Sequence, residues 1–287
     1  MKKIDIHLHL TFEQLPKKEG IFLSSAEHMI PHLKSLGIEK GIVLASGESD
    51  SGLGITTSEC RKIAEHFPHT YGWMCNVDDR DLESIYERLA LYKQQGAVGI
   101  GELMINRSME DPIIQRIFQS AEKLGLPVLF HMSPEVGYEY GIVDQPRLPL
   151  LEKNLKRYPN LIFIGHSQPF WHEISKSSSS STDERMEWGK GPVIKGGRVV
   201  ELFETYPNLY GDLSANSGGC AIMRDEQFGL QFLEAFYDRL FFGTDMVNTD
   251  MEFPLGKWLD KMVEEGKLSR NAYECICFKN AQRVFGL

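Results

Sequence analysis

The chain has 287 residues, of which 42% are hydrophobic and 25% charged, and its 31 basic and 40 acidic side chains leave a formal charge of −9. Both fractions are near globular averages, which excludes a disordered chain and a collagen-like one. The acidic balance, without a block of lysine or arginine, argues against a nucleic-acid partner or an anionic membrane surface, and no apolar run approaches the roughly 20 residues of a membrane span.

Short apolar runs alternate with amphipathic segments along the chain. The apolar runs predict eight strands, at Ile4–Leu10, Gly41–Ala45, Tyr71–Val77, Val98–Leu103, Pro127–His131, Leu161–Gly165, Asn208–Leu213 and Leu240–Gly243. The amphipathic segments predict helices at Ala26–Leu36, Ser58–His66, Leu82–Gln94, Pro112–Leu124, Leu148–Arg157, Arg198–Thr205, Asp225–Tyr237 and Pro254–Glu264, with an extra C-terminal helix at about Arg270–Phe285. Continuous apolar strands that alternate with helices indicate parallel strands covered by helices. Eight such units favour an α/β fold of the (β/α)8 TIM-barrel type as a single domain over residues 1–287, with an open doubly wound sheet as the alternative.

One segment breaks this alternation, a long loop at 167–195 after the sixth predicted strand. Its serine-rich stretch at 176–185 has a composition that cannot bury a core and predicts a mobile segment. Two interpretations stay open, a tolerated surface insertion and a lid over the carboxyl ends of the strands, where barrel active sites lie. Trp171 and His172 in this segment are candidate substrate-binding residues.

Polar side chains stand at the ends of otherwise apolar strands. The first strand ends with His7 and His9, which project to the same face because they are two residues apart. Four more strands end with a candidate ligand each, Glu102, His131, His166 and Asp245. Each has a structural explanation by itself, as a salt-bridged carboxylate, a core imidazole or a helix cap. Their occurrence on four strands besides the His-x-His pair predicts a metal site, because neutral imidazole and carboxylate are ligands of divalent metals.

These residues make the chain resemble the amidohydrolase superfamily of metal-dependent hydrolases. The matching motifs are Asp5-Ile-His7-Leu-His9, Gly99-Ile-Gly-Glu102-Leu, His131, Gly165-His166 and Phe242-Gly-Thr-Asp245-Met. The match is to the amidohydrolase-2 branch, which includes aminocarboxymuconate-semialdehyde decarboxylase and related decarboxylases and lactonases. It covers nearly the whole chain and implies a distorted (β/α)8 barrel with a divalent metal, usually zinc.

The resemblance leaves two arrangements of ligands open. In the mononuclear decarboxylase pattern, one metal has the ligands His7, His9, His131 and Asp245. His166 then lies beside the bound water. In the binuclear TatD-type pattern, the ligands form two sets, His7, His9 and Asp245 for one metal and His131 and His166 for the other. Glu102 then bridges the two ions, and the alternative bridge of other members, a carboxylated lysine on the fourth strand, has no counterpart here.

The resemblance implies hydrolysis of an ester, lactone, amide or related bond of a small molecule. Metal coordination lowers the pKa of bound water from about 16 toward about 7, which makes hydroxide available at neutral pH. Asp245 is the candidate base that takes the proton and returns it to the leaving group, and His166 would stabilise the oxyanion or assist that transfer. Asp212 on the seventh strand is interpreted as a structural hydrogen-bonding group, with orientation of a ligand as the alternative.

Two other functions stay open. The first is nonoxidative decarboxylation of an unsaturated or aromatic acid, which Arg224 favours because an arginine binds a substrate carboxylate in a bidentate manner. The second is a non-enzymatic metal-binding barrel. The expected cofactor is one divalent ion, zinc first, with a second ion open. The expected partners are a small-molecule substrate and, in a homodimer, a second copy of the chain.

The sequence also predicts a cytoplasmic location. The five cysteines are odd in number and lack metal-binding spacing, which fits free thiols in a reducing compartment. The N-terminus carries basic residues but no apolar segment of a signal peptide.

Overall fold

The computed structural model describes residues 1–17, 22–49, 55–176 and 180–287. The strands are β1 Lys3–Leu8, β2 Ile38–Leu44, β3 Tyr71–Met74, β4 Ile100–Leu103, β5 Val128–Phe130, β6 Met132–Ser133, β7 Ile142–Val143, β8 Phe163–Gly165, β9 Leu209–Asp212 and β10 Leu240–Phe241. The helices are α1 Ala26–Ser35, α2 Thr57–His66, α3 Ile85–Gln94, α4 Pro112–Leu124, α5 Pro149–Arg157, α6 Gln168–His172, α7 Thr182–Arg185, α8 Arg198–Thr205, α9 Ala215–Met223, α10 Glu226–Phe236, α11 Leu255–Glu264, α12 Arg270–Glu274 and α13 Asn280–Phe285. A short 3₁₀ turn at Tyr237–Arg239 follows α10, and a π-helical turn at Cys275–Lys279 joins α12 to α13.

The eight predicted strands are all present, parallel, and neighbours in chain order. Strands β1, β2 and β3 form one sheet, and β4, β5, β8, β9 and β10 form a second. Isolated contacts join the two sheets at both edges. The amide of Cys75 donates to the carbonyl of Gly99 at 3.0 Å after β3, and a parallel bridge links Leu8 to Met246 after β10. This order confirms the (β/α)8 prediction, although the hydrogen-bonded ladder is interrupted at these two joins.

The strands are mostly apolar because both of their faces are largely buried. One set of side chains, including Ile6, Leu44 and Leu129, packs inside the ring of strands. A larger set packs between the strands and the surrounding helices. Phe285 of α13 belongs to the inner set, and its ring lies 5.3 Å from that of Phe241. The C-terminal helix therefore packs against the interior of the barrel.

Helix boundaries follow local capping chemistry. Helix α4 begins after Asp111, whose side chain accepts from the amide of Ile113, and ends at Gly125 in the left-handed conformation with φ 64°. Its predicted bounds are confirmed, as are those of α8. The predicted C-terminal helix is interrupted by the π-helical turn.

Helix α9 is not predicted by the sequence, because Gly218 and Gly219 weaken a helical pattern. Gly218 packs so closely that a Cβ atom would lie 2.5 Å from the backbone of Leu213.

Segment 167–195 contributes to the core, and the expectation that its serine-rich stretch at 176–185 buries none is wrong for Arg185. Helix α6 places Phe170 and Trp171 in the core. Arg185 is only 2% exposed, and its guanidinium donates to the backbone carbonyls of Pro134 and Asp144 at 3.0 and 3.1 Å. Composition misleads here because aromatic residues precede the serine run and an arginine satisfies buried carbonyl groups. Residues 177–179 of the serine run lie outside the described residues, and a lid role stays a prediction.

None of the helices in the described residues combines the length and the apolar composition that crossing a membrane requires.

A buried carboxyl group before α5 makes stability depend on pH. Burial raises the pKa of Asp144 to about 6, although hydrogen bonds from the backbone amides of Leu151, Leu150 and Gln145 lower it. An aspartate in an unfolded chain titrates near 3.9, so the folded protein retains this proton where the unfolded chain has released it. The group therefore stabilises the fold below about pH 4, and this contribution is lost as the pH rises through about 6.

We compare the free energy of unfolding of the native protein with that of Asp144→Asn. We expect the native value minus the variant value to fall by about 1–3 kcal/mol between pH 4 and pH 7. Urea denaturation at a series of pH values measures it. Asp79→Asn is the matched control, because Asp79 is exposed and paired with Arg107. A difference between the native protein and Asp144→Asn that stays constant over this range would contradict the prediction.

Candidate metal centre and active site

The candidate ligands lie together at the carboxyl ends of the barrel strands. They are His7 in β1, His9 just after it, Glu102 in β4, and His131, His166 and Asp245 in the segments that follow β5, β8 and β10. Parallel strands of a barrel all end on the same side, so residues distant in the chain meet there. The structure brings these six side chains together at one end of the barrel.

Asp5 ties the first and last of these segments together. One of its carboxylate oxygens accepts from the backbone amides of His7 and Thr244, both at 3.0 Å. The other accepts from the hydroxyl of Thr244 at 2.6 Å. The amide of Asp245 donates in turn to the carbonyl of His7 at 2.9 Å. The aspartate of the first motif therefore positions His7 and Asp245 relative to each other.

Glu102 lies between two pairs of imidazoles. Its Oε2 is 3.1 Å from Nε2 of His9 and 3.5 Å from Nε2 of His7. Its Oε1 is 2.6 Å from Nδ1 of His131 and 3.7 Å from Nε2 of His166. Each carboxylate oxygen thus faces a different pair, which is the arrangement that a bridging ligand requires.

Asp245 approaches the same cluster from the cavity side. Its Oδ1 lies 3.3 Å from Nε2 of His7 and 3.6 Å from Nε2 of His9, and its Oδ2 lies 3.7 Å from Nε2 of His166. Its backbone has φ 60°, a left-handed conformation that aspartate tolerates better than most residues. The side chain is 26% exposed, whereas His7 is fully buried, so Asp245 can meet a molecule that enters from solvent.

The donor atoms form three groups, of which the last, His7, His166 and Asp212, shares its two imidazoles with the other two. His7, His9 and Asp245 each offer an atom within 4.8 Å of the others, and so do Glu102, His131 and His166. Among the described residues, His131 does not join the first group within this distance. The geometry therefore corresponds more closely to the binuclear arrangement than to the mononuclear one.

The imidazoles are oriented by hydrogen bonds from their outer nitrogens. Asp212 Oδ2 lies 2.7 Å from Nδ1 of His7 and 3.0 Å from Nδ1 of His166. Nδ1 of His9 lies 3.3 Å from the carbonyl oxygen of Leu44. When these Nδ1 atoms carry the protons and donate, each Nε2 presents a lone pair to the cluster. Such partners are typical of histidines that bind metals.

This arrangement provides a test of whether the residues fit a metal. Nε2 of His7 and Nε2 of His9 are 3.0 Å apart. Two nitrogen lone pairs at this distance repel each other unless a proton or a metal ion lies between them. Oxygen atoms of Glu102 and Asp245 face the same point. A donor set of imidazoles and carboxylates is chemically suited to zinc, and the residues therefore fit a divalent cation.

Charge in the cluster supports the same conclusion. Burial opposes ionisation, but the nearby carboxylates of Asp245 and Glu102 and the contact with Asp212 outweigh it and raise the pKa of His7 well above its usual value. Burial would raise the pKa of Glu102, yet His131 and His7 lower it well below its ordinary range. Hydrogen bonds from His166 and His7 likewise lower the pKa of Asp212, against the effect of burial. The cluster thus favours positive charge at its centre.

Asp212 and Ser214 hold the rings of His7 and His166 in place, a role that the sequence analysis does not identify. The Ser214 hydroxyl lies 3.1–3.2 Å from Nδ1 of both His166 and His7 and donates to Asp212 at 2.7 Å. The sequence interpretation of Asp212 as a structural hydrogen-bonding group omits its contact with two site imidazoles, and Ser214 is missed altogether. The signal that could identify both is their spacing of two residues at the end of β9, the same spacing that identifies His7 and His9.

A cavity of about 570 Å³ opens above the cluster. Four candidate site residues face it, His9, Glu102, His131 and Asp245. The ring of Tyr140 also faces it and lies 4.6 Å from the ring of His131. Burial and the carboxylates of Glu102 and Asp245 raise the pKa of Tyr140 to about 12, so its hydroxyl remains a hydrogen-bond donor at neutral pH. Tyr140 is not predicted from the sequence.

Among the described residues that line this cavity, none is one of the three candidate substrate-binding residues. Trp171 is buried, and its indole donates to the carbonyl of Asp212 at 2.9 Å. His172 and Arg224 border a separate pocket of about 310 Å³, together with Trp188. Arg224 donates there to the carbonyl of Lys190. The loop after β9 continues into α9, which carries Arg224 away from the cavity. The path of such a loop cannot be predicted from the sequence.

The family model Amidohydro_2, described as amidohydrolase, matches residues 4–287. A comparison with curated proteins found no match. A proposed 2-pyrone-4,6-dicarboxylic acid hydrolase from Pseudomonas putida has 16% identity and a TM-score of 0.66, over 99% of this chain and 97% of that one. A 2,6-dihydroxybenzoate decarboxylase from Rhizobium has 16% identity and a TM-score of 0.62, over 99% and 98% of the two chains.

A third similar structure is an amidohydrolase from Burkholderia multivorans with bound zinc, which has 14% identity and a TM-score of 0.62 over 100% of both chains. At these identities the solved structures support the fold and leave substrate and reaction open. The family match extends from β1 to the C-terminus. The protein therefore belongs to the amidohydrolase family and is an enzyme of the amidohydrolase superfamily.

Proposed function

We propose that the protein is a metal-dependent hydrolase that cleaves an ester, lactone or amide bond of a small molecule. The observation that carries this proposal is the position of Asp245. Its carboxylate lies within 3.7 Å of His7, His9 and His166 and is exposed to the cavity. A carboxylate so placed can exchange a proton with a substrate at the metal centre.

The residues that would hold the metal follow from the two donor groups that border the cavity. His7, His9 and Asp245 would hold one ion, and His131 and His166 would hold a second, with one oxygen of Glu102 directed to each group. Bound divalent ions of this kind supply Lewis acidity that makes water nucleophilic at neutral pH and polarises a carbonyl group. Zinc is the proposed metal because imidazole and carboxylate suit it.

The protein's own residues would supply proton transfer and orientation. Asp245 would accept a proton from the attacking water and return it to the leaving oxygen or nitrogen as the acyl bond breaks. The elements of water are thereby divided between the two products. Asp212 and Ser214 would keep the rings of His7 and His166 in the orientation that directs Nε2 to the centre. Tyr140 would donate a hydrogen bond to an oxygen of the substrate.

Hydrolysis is preferred to decarboxylation because of where the arginine lies. Arg224 is the sequence feature that favours an acidic substrate, and it borders the separate pocket beside Lys190. Among the described residues that line the cavity above Glu102 and Asp245, none is an arginine or a lysine. This supports a reaction that begins at a neutral carbonyl group.

Isotope labelling separates the two reactions. We expect the zinc-loaded protein, incubated with a panel of lactones, esters and unsaturated carboxylic acids in ¹⁸O-labelled water, to add one labelled oxygen per turnover to a hydrolysis product without releasing carbon dioxide. Mass spectrometry and a carbon dioxide assay provide the readouts, with chelator-treated protein as the control. Carbon dioxide release from an acid, without hydrolysis of any member of the panel, would favour the decarboxylase. Absence of both reactions would count against the proposed hydrolysis of lactones and esters.

A further inference from the structure

The walls of the cavity above the metal centre are apolar. They are formed by side chains from the segments after β1, β4 and β10, including Leu15, Phe22, Leu23, Met104, Val247 and Met251. Leu15 remains 45% exposed. Apolar side chains left partly exposed within a concave surface are typical of a site that binds an apolar ligand.

The floor of the cavity offers little excess positive charge to an anion. Glu102 and Asp245 face the cavity, and Asp212 lies behind them in contact with two imidazoles. These three carboxylates balance three of the four charges of two divalent ions, and they exceed the two charges of a single ion. The metal centre therefore attracts a carboxylate group of a substrate only weakly.

A lysine beside this wall is already paired. Lys17 forms an ion pair with Asp250, and its ammonium group lies 4.6 Å from the centre of the Phe22 ring. A substrate carboxylate placed against the apolar walls would lose its hydration without gaining a charged partner among the described lining residues, which is unfavourable. A neutral substituent would instead gain from contact with the same walls.

One uncharged donor complements these walls. The Tyr140 hydroxyl has no hydrogen-bond partner among the described residues, and its ring packs against His131 at the floor of the cavity. A neutral carbonyl or ring oxygen can accept from such a hydroxyl without an accompanying charge.

From these contacts we propose that the substrate is a neutral molecule with an apolar substituent, such as an alkyl-substituted lactone or ester, and that organic acids are poor ligands. The proposal rests on the proposed hydrolysis for the reaction and adds the substrate class. The apolar walls support this substrate class because they would contact the part of the substrate that does not react.

Binding of two matched ketones tests the proposal without turnover. The probes are 4-hexylcyclohexanone, a lactone-like ring without a scissile ester bond, and the same ketone with a carboxylate at the end of an equally long chain. We expect calorimetry on the zinc-loaded full chain to show at least about tenfold tighter binding of the hexyl compound, with a negative heat-capacity change from burial of apolar surface. Equal or tighter binding of the carboxylate compound would overturn the proposal.

A variant with a charge at the rim provides a second measurement. Leu15→Arg adds a cation at a partly exposed position of the wall, and we expect it to shift the preference at least about tenfold toward the carboxylate compound. Val136→Arg is the matched control, because Val136 is 64% exposed and does not line the cavity. An equal shift in both variants would mean that general surface charge, and not the wall, controls binding, and would count against the proposal.

The outcomes separate this proposal from the proposed hydrolysis. Preference for the hexyl ketone together with failure to hydrolyse any lactone or ester would retain the substrate class and remove hydrolysis. Preference for the carboxylate ketone would remove the substrate class even if hydrolysis occurs.

Discussion

We expect Asp245→Asn to lower kcat by about 10²–10⁴-fold when native and variant proteins are compared at equal zinc content. Asparagine keeps nearly the same shape and one oxygen atom that can face His7 and His9, but it lacks the basicity that proton transfer requires. The expected loss is that of general acid–base assistance. The measurement is kcat under conditions in which chemistry limits the rate, with the zinc content of each preparation determined by elemental analysis.

The matched control for this prediction is Asp238→Asn. Asp238 precedes β10 at the opposite end of the strand from Asp245, and its side chain is 62% exposed. We expect the control variant to keep native turnover. A metal-replete Asp245→Asn variant with near-native kcat would remove Asp245 as the base and transfer that role to His166. Because loss of zinc would also abolish activity, only preparations with equal zinc content are compared.

Glu102→Gln is expected to reduce the zinc content of the saturated protein from about two equivalents to about one. The native carboxylate presents one oxygen to the His7–His9 pair and the other to the His131–His166 pair. Glutamine replaces one of these oxygens by an NH₂ group, which carries hydrogens toward the centre and cannot act as a ligand. One of the two donor groups therefore loses its oxygen ligand, and the other keeps only a neutral amide oxygen.

Elemental analysis and isothermal titration with zinc measure this change. Glu139→Gln is the matched control, because it removes the same charge at the exposed position beside Tyr140 and should leave two equivalents bound. Retention of two equivalents by Glu102→Gln would contradict the bridging role. A native protein that saturates with a single ion would point to the mononuclear arrangement, with His166 outside the ligand set.

Several features of the site are predictable because they depend on local sequence patterns. A buried parallel strand requires a continuous apolar run, so a polar residue at its end is conspicuous, as with His131 after Leu129-Phe130. The alternation of strands and helices places all such ends on one side of a barrel. The same reasoning selects the other five ligand candidates, His7, His9, Glu102, His166 and Asp245.

Other features depend on packing between distant segments. Trp171 and Arg224 follow strands β8 and β9 in sequence, but α6 turns the indole into the core and α9 carries the arginine into a separate pocket. Tyr140 enters the cavity because the loop between β6 and β7 brings it against His131. A sequence pattern specifies which face of a strand is buried, but it does not specify the path of a long loop.

The sequence by itself determined the barrel, the order of its elements and the identity of the residues at the centre, because strand periodicity and strand ends are encoded locally. Only the tertiary structure decided that Glu102 separates two pairs of imidazoles and that Asp212 holds His7 and His166 from behind. These relations join β1, β4, β8 and β9, whose residues are up to about two hundred positions apart in the chain. The distances and orientations among such side chains arise from the packing of the strands around the barrel axis, and no local pattern records them.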